Sequence, residues 1–234
     1  MLRVDQVDAY YGLGHVLQGV SLTVAPGEAV ALLGRNGAGK TTTLKTVMGV
    51  VRARRGRIMW NGDDITTLPP YRIVQLGIGY VPEERRIFPN LTVYENLKMA
   101  RLAIDGGRNM DGYLDRVLAL FPPLKQRLTN KGRNLSGGEQ QMLTMARSLG
   151  TEPKLLLIDE PTEGLMPAFV ETIGETIVAI QRQGLAVLLV EQNTRLALTA
   201  TQRVYFLEKG AIKHEGRSSE LQQDATVRMR YLGV

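Results

Sequence analysis

Cysteine is absent from this 234-residue chain. Without a thiol there is no disulfide framework and no thiolate zinc site, a composition that suits a reducing compartment. Histidine is scarce, at His15 and His214 alone, which excludes a histidine-rich metal centre. Long hydrophobic runs are missing too. The longest aliphatic stretch, LAVLLV at 185–190, falls far short of the roughly 18 apolar residues of a membrane-spanning helix. The opening MLRVDQVDAYYG lacks the apolar core of a signal peptide. Low-complexity segments and internal repeats are also missing. These absences predict a soluble protein whose contact with any membrane is peripheral.

What is present is an ordinary globular balance, 44% hydrophobic and 22% charged, in a chain long enough for one large domain. The net charge of +6 admits nucleic acid, anionic lipid or nucleotide as partner. The basic residues come in short groups, Arg52/Arg54/Arg55/Arg57 and Arg85/Arg86. No RNA-binding signature accompanies them, and no nucleic-acid partner is expected.

Three short apolar runs end at catalytic-looking residues: AVALLG (29–34), KLLLIDE (154–160) and LAVLLVEQ (185–192). Continuous runs of this kind suit strands buried on both faces of a parallel sheet. Each is joined to helical sequence, GKTTTLKTVMG, QQMLTMARSLG and AFVETIGETIVAIQRQG. The alternation predicts a doubly wound α/β sheet. By contrast LRVDQVDAYYG, HVLQGVSLTVAPGE and GRIMWNGDDI are turn-rich and suit antiparallel pairing. The expectation is a single domain over 1–234. A small antiparallel β subdomain and the core occupy 1–91 and 150–234, and a helical subdomain is inserted at 92–149, with a soft break at IDGGRNMDG.

GRNGAGKT at 34–41 meets the G-x-x-x-x-G-K-[ST] template, after a strand and before a helix. Its glycines let backbone N–H groups close around phosphate oxygens, and the following helix adds its positive end. The expected phosphate-binding residues are Gly34, Arg35, Asn36, Gly37, Ala38, Gly39, Lys40, Thr41 and Thr42. Lys40 supplies a charge to the β and γ phosphates of a nucleotide, and Thr41 an oxygen to Mg²⁺. Behind the aliphatic strand LLLI, Asp159 would hold Mg²⁺ through water. Glu160 follows directly, and adjacent acids on a strand point to opposite faces. The two should therefore divide the work, one serving the metal and the other polarising an attacking water.

A second anion-binding turn is harder to place. In GRNLSGGEQQMLTMARSLG (132–150), Ser136 and Glu139 form a capping box, which alone would start a helix. Capping needs no glycine, and each glycine in a first turn disfavours the helix by about 1 kcal/mol relative to alanine. Gly137 and Gly138 make sense if something approaches the backbone closely. A serine hydroxyl beside bare amides at a helix start suits a phosphate.

LSGGEQQ resembles the signature of the ATP-binding-cassette ATPases, and the other motifs follow in that family's order. They are Tyr11-Gly12, the P-loop, GYVPEERRIFPNLTVYENL, the Asp-Glu strand, EGLMP and LLVEQN. The resemblance covers essentially the whole chain. It implies two nucleotide-binding domains paired head to tail, each signature meeting the ATP held on the other subunit. Ser136 and Gly138 would then act in trans, Tyr11 would stack on adenine (with Tyr10 as competitor), and Glu160 would be the catalytic carboxylate.

Two positions depart from the family pattern. Glu83 stands where a glutamine usually links the metal site to the helical subdomain, and Gln192 where a histidine usually senses the γ-phosphate. Glutamine can still donate a hydrogen bond but cannot become cationic. Both departures, with RRIFPNLTVYENL and the YLGV ending, resemble the ATPases of branched-chain amino-acid importers. The resemblance thus implies ATP and Mg²⁺ as ligands, with Thr41, Asp159 and Glu83 at the metal. The implied partners are a second ATPase subunit, membrane permease subunits touching Arg85, Arg86 and the segment 83–97, and indirectly a substrate-binding protein. The implied place is the inner face of the plasma membrane. Urea, short amides or other polar amino acids are alternative cargoes. A soluble cassette ATPase acting on nucleic acid or ribosomes usually carries tandem cassettes or coiled-coil inserts, and neither is present. NKGR at 130–133 begins like a guanine-reading motif but has Arg133 in place of its aspartate. A binding module without turnover would leave Asp159 and Glu160 without a task.

Overall fold

A computed structural model describes residues 1–106 and 108–223. The YLGV ending lies outside the described residues. Strands β1 (Leu2–Tyr11) and β2 (Gly14–Val24) form a hairpin, after which β3 (Ala29–Leu33) leads through the P-loop into helix α1 (Lys40–Val47). Next come β4 (Ala53–Trp60), β5 (Asp63–Asp64), α2 (Pro70–Gln75) and β6 (Ile78–Val81). The helical stretch is α3 (Val93–Asp105), α4 (Met110–Leu120), α5 (Pro122–Lys125) and α6 (Gly137–Leu149). The chain returns through β7 (Leu155–Asp159), α7 (Pro167–Arg182), β8 (Ala186–Glu191) and α8 (Thr194–Ala200), then β9 (Arg203–Glu208), β10 (Ala211–Arg217) and α9 (Ser218–Gln223). Among the described residues no helix is long and apolar enough to cross a membrane.

The turn-rich strands pair antiparallel in the order β2-β1-β4-β5. In β1 the inward residues switch parity, from Leu2 and Val4 to Val7 and Ala9. The switch follows from a register shift between Val4 and Val7, where Gln6 takes a left-handed φ of 49°. An extra residue in one strand flips every later side chain to the other face. Gly56 stands against the bulge, where a Cβ would lie 2.3 Å from the Gln6 carbonyl oxygen.

The second sheet has the order β10-β9-β3-β8-β7-β6, with β3, β6, β7, β8 and β9 parallel and β10 antiparallel at the edge. Its central strands are buried on both faces. Leu155, Leu157, Leu188 and Val190 pack with the β subdomain and α1. Leu156, Ile158, Val187 and Leu189 pack against a core shared with α3, α4, α6 and α7. Each fully buried leucine contributes about 1.5–3 kcal/mol, so both halves are welded to one sheet. α3 begins with a capping box at Thr92 and Glu95 and ends at Gly106, with φ 67°. This is the expected α/β fold, a doubly wound sheet with an antiparallel subdomain and a block of inserted helices.

Topology places the site. Parallel β3, β8 and β7 end at one edge of the sheet, with Leu33 level with Glu191 and Asp159 level with Val190. The three following turns therefore converge where the strand order switches, the usual place for a ligand in such sheets.

Candidate nucleotide site

The P-loop is shaped by what its glycines permit. Gly39 precedes α1 with φ 108°, a conformation closed to other residues without strain. At Gly34 a Cβ would lie 2.4 Å from the Leu207 carbonyl oxygen, so strand β9 demands a bare backbone there. Lys40, only 4% exposed, folds back over the loop. Its Nζ donates to the carbonyls of Gly34 at 2.9 Å and Arg35 at 3.2 Å, and pairs with Glu160 Oε1 at 3.0 Å.

Asp159 is fully buried at the end of β7. Thr41 Oγ donates to its Oδ1 and the Tyr80 hydroxyl to its Oδ2, both at 3.0 Å. Burial pushes its pKa up, and these two donors oppose the rise. Tyr80 is pushed up in turn, by burial first and by the neighbouring Asp159 charge.

Glu160 corrects an expectation. The two carboxylates have different partners, but alternation along a strand is not the reason. β7 stops at Asp159, and Glu160 turns aside in a left-handed conformation with φ 40°, while its N–H still bonds the Val190 carbonyl at 2.9 Å. The turn swings the carboxylate over the P-loop. Oε1 meets Lys40, and Oε2 accepts a hydrogen bond from Gln192 Nε2.

A cavity of about 530 Å³ opens over these groups, lined by Val16, Asn36, Gly37, Gly39, Lys40, Thr41, Thr42, Glu83, Glu160, Glu163 and Gln192. Gly34, Arg35 and Ala38 do not line it; the first two give their carbonyls to Lys40, and Ala38 is buried. Burial raises the pKa of Glu83, reinforced by the charges of Glu160, Asp159, Glu84 and Glu163. Among the described residues no cluster of three or more acidic or histidine side chains forms a metal cage. The converging Thr41 hydroxyl and Asp159 carboxylate nonetheless fit Mg²⁺, a hard cation that usually binds through one or two carboxylates together with substrate phosphates.

A family model described as ABC transporter matches residues 17–163. The chain belongs to the ABC transporter family. It is an ATP-hydrolysing cassette of that family. It is similar to the high-affinity branched-chain amino acid transport ATP-binding protein BraG of Pseudomonas aeruginosa, 44% identical over 236 residues and covering 100% of both chains. The lipopolysaccharide export system ATP-binding protein LptB of Haemophilus influenzae is 39% identical over 235 residues, covering 100% of this chain and 97% of the relative. A solved ATP-binding subunit of an ABC transporter superposes with a TM-score of 0.82 at 30% identity, over 95% of this chain and 92% of that one.

In the cassette, Ser136 and Gly138 do not line the cavity of their own P-loop. The capping box is formed: Ser136 Oγ accepts from the Glu139 N–H at 3.3 Å, and Glu139 Oε2 accepts from the Ser136 N–H at 2.8 Å. The close approach comes from within the chain. A Cβ on Gly138 would lie 2.4 Å from the Phe169 ring, and one on Gly137 would lie 2.6 Å from Arg85 Nη1. Arg85 is half-buried, its guanidinium held against Gly137 and the Glu163 carbonyl. Arg86 lines an open groove of about 710 Å³ with Tyr11, Lys45, Tyr80, Glu84 and Arg147.

Tyr11 is 52% exposed at the end of β1 and lines that groove. Its competitor Tyr10 is engaged, stacked on His15 at 4.2 Å with the Arg54 guanidinium 4.8 Å from its ring centroid. Gln192 does not open the next helix, because Asn193 caps α8 with Oδ1 accepting from Leu196 N–H at 3.0 Å.

Sequence reasoning underrated Glu191 and passed over Tyr80 and Thr162. Glu191 is buried, its Oε1 taken by the Thr162 hydroxyl at 2.6 Å and its Oε2 by the N–H groups of Gln192 and Asn193, each at 3.0 Å. Burial raises its pKa against those donors. An acid ending the run LAVLLV was the available signal. Nothing in the spacing marks Tyr80 or Thr162.

Proposed function

We propose that the cassette powers an importer of branched-chain amino acids, with ATP bound and hydrolysed at two composite sites shared with a second cassette. The observation carrying the catalytic part is the Glu160 carboxylate, poised over the P-loop between Lys40 and Gln192. When phosphate enters the cavity, Lys40 transfers its charge from Glu160 and the loop carbonyls to the β and γ oxygens. Glu160 is then free to accept a proton from the attacking water. Gln192 keeps the carboxylate aimed and offers its amide to the γ-phosphate. Mg²⁺, held by Thr41 and Asp159 with Glu83 nearby, would neutralise charge on the phosphates when bound. Tyr11 stacks on the adenine, and Ser136 and Gly138 meet the nucleotide of the partner.

Membrane permease subunits dock against the groove carrying Arg86, at the inner face of the plasma membrane, and a substrate-binding protein delivers the cargo to them. The likeness to BraG and the glutamine at 192 support amino acids as cargo. The likeness to LptB favours lipopolysaccharide export as the second reading. Affinity purification from native membranes, with identification of the bound permeases, decides between them. Uptake of labelled leucine by the reconstituted complex supports the first reading. Permeases of the export type would overturn it.

A further inference from the structure

We infer that Arg85 and Phe169 are positioning residues that clamp the first turn of α6 to the chain leaving Glu160. This rests on the reading that Ser136 serves the nucleotide of the partner.

The clamp has two jaws. On one side the Phe169 ring, in the first turn of α7, fills the space a Gly138 side chain would need. On the other, Arg85 takes a left-handed φ of 46° and brings its guanidinium to Gly137. The same guanidinium donates through Nη2 to the Glu163 carbonyl at 2.8 Å. The rigid, planar arginine fork presents several donors and can touch two groups at once. Both jaws are rooted in the segment 160–169, which is itself tied to the sheet through Thr162 and Glu191.

The contacts form a continuous line: Glu160, Thr162 on Glu191, Glu163, Arg85, Gly137, Ser136. Packed and hydrogen-bonded chains of this kind are the physical medium through which two sites can be coupled. In the proposed dimer, Glu160 serves the nucleotide on its own P-loop and Ser136 the nucleotide on the partner. The clamp therefore joins one composite site to the other within a single chain. It also supplies a reason for two glycines beyond the capping box, since a Cβ at either position would push a jaw open.

The test compares Arg85→Ala, Arg85→Lys and Phe169→Leu with the parent chain, and has two readouts. The first is amide hydrogen exchange of the single chain. Arg85→Ala and Phe169→Leu should speed exchange over 137–140 and 163–165 while leaving 142–149 protected. Unchanged exchange in both variants overturns the clamp. The second is ATP-driven pairing in a Glu160→Gln background, measured by analytical ultracentrifugation beside the single-chain affinity for a fluorescent ATP analogue. Arg85→Ala should weaken pairing about tenfold, the worth of one charge-assisted hydrogen bond, with nucleotide affinity unchanged. Arg85→Lys, which keeps a donor for the Glu163 carbonyl, should recover part of the loss. Ser136→Arg is the reference. If it abolishes pairing and Arg85→Ala leaves pairing intact, the positioning role fails while the trans reading stands. If Ser136→Arg also pairs normally, the trans reading fails and takes the inference with it.

Discussion

Gln192 donates from Nε2 to Oε2 of Glu160, while Lys40 holds Oε1 of the same carboxylate at 3.0 Å. Both oxygens of the proposed base are therefore engaged. The lysine must change partners for the carboxylate to become available. In the proposed mechanism this exchange of partners would couple phosphate binding to activation of the base.

Lys40→Ala should abolish productive ATP binding, because the charge that faces the phosphates is lost. Glu160→Gln should bind ATP, turn over poorly and accumulate a closed dimer, since only the proton acceptor is missing. Size-exclusion chromatography with ATP and Mg²⁺, beside a phosphate-release assay, checks both. Wild-type turnover by Glu160→Gln would refute the assignment.

Gln192→Ala removes a donor aimed at both Glu160 and the cavity. Turnover should fall about 10²-fold, the usual cost of one transition-state donor, with ATP affinity nearly unchanged. Gln192→His should stay active and acquire a pH inflection near the imidazole value of about 6.5. Steady-state rates against pH, measured with the permease partner, decide this. A Gln192→Ala enzyme as fast as wild type would move the role to Glu191 or Asn193.

Burial raises the pKa of Glu191 above its ordinary 4.5. The folded chain then binds more protons than the unfolded one between that value and the raised one. Stability from this group is accordingly lost as pH rises through the window. Glu191→Gln should remove that slope. Its amide oxygen can still accept from the backbone N–H groups of Gln192 and Asn193, so near neutral pH the variant should shed the cost of the buried charge. Urea unfolding of both proteins across pH 4.5 to 7 gives the difference directly, and parallel curves would rule the account out.

Gly138→Ala places a methyl group 2.4 Å from the Phe169 ring. Overpacking of this kind typically costs about 1–3 kcal/mol, and the first turn of α6 must shift to relieve it. ATPase activity should drop while single-chain nucleotide binding persists. Truncating the ring in the double variant Gly138→Ala/Phe169→Ala should return part of both stability and activity. Thermal melts with ATPase rates test this, and additive losses in the double variant would show that the two positions do not meet.

Features governed by near neighbours were readable from the residues alone. The unbroken apolar runs ending at Gly34, Asp159 and Glu191 announce strands buried on two faces, because only a covered parallel sheet tolerates them. The P-loop is legible because its glycines and lysine must stand at set spacings for the backbone to close on phosphate. Ser136 and Glu139 announce a helix start three residues apart. In each case the physics acts within one turn or one strand.

Tertiary structure decided the features that act across distance in sequence. Nothing local says that Gln192 meets Glu160, 32 residues earlier, or that Arg85 reaches the Glu163 carbonyl, 78 residues later. The first meeting requires β8 to lie beside β7 and the second requires β6 on the other side of β7, and strand order is set by long-range packing. The left-handed turn at Glu160 likewise broke the alternation that strand logic assigns to adjacent acids. The glycines of the second turn tell the same story. Their need for space was visible in the sequence, but what filled it, Phe169 and Arg85, depended on how α7 and the segment after β6 fold back onto α6.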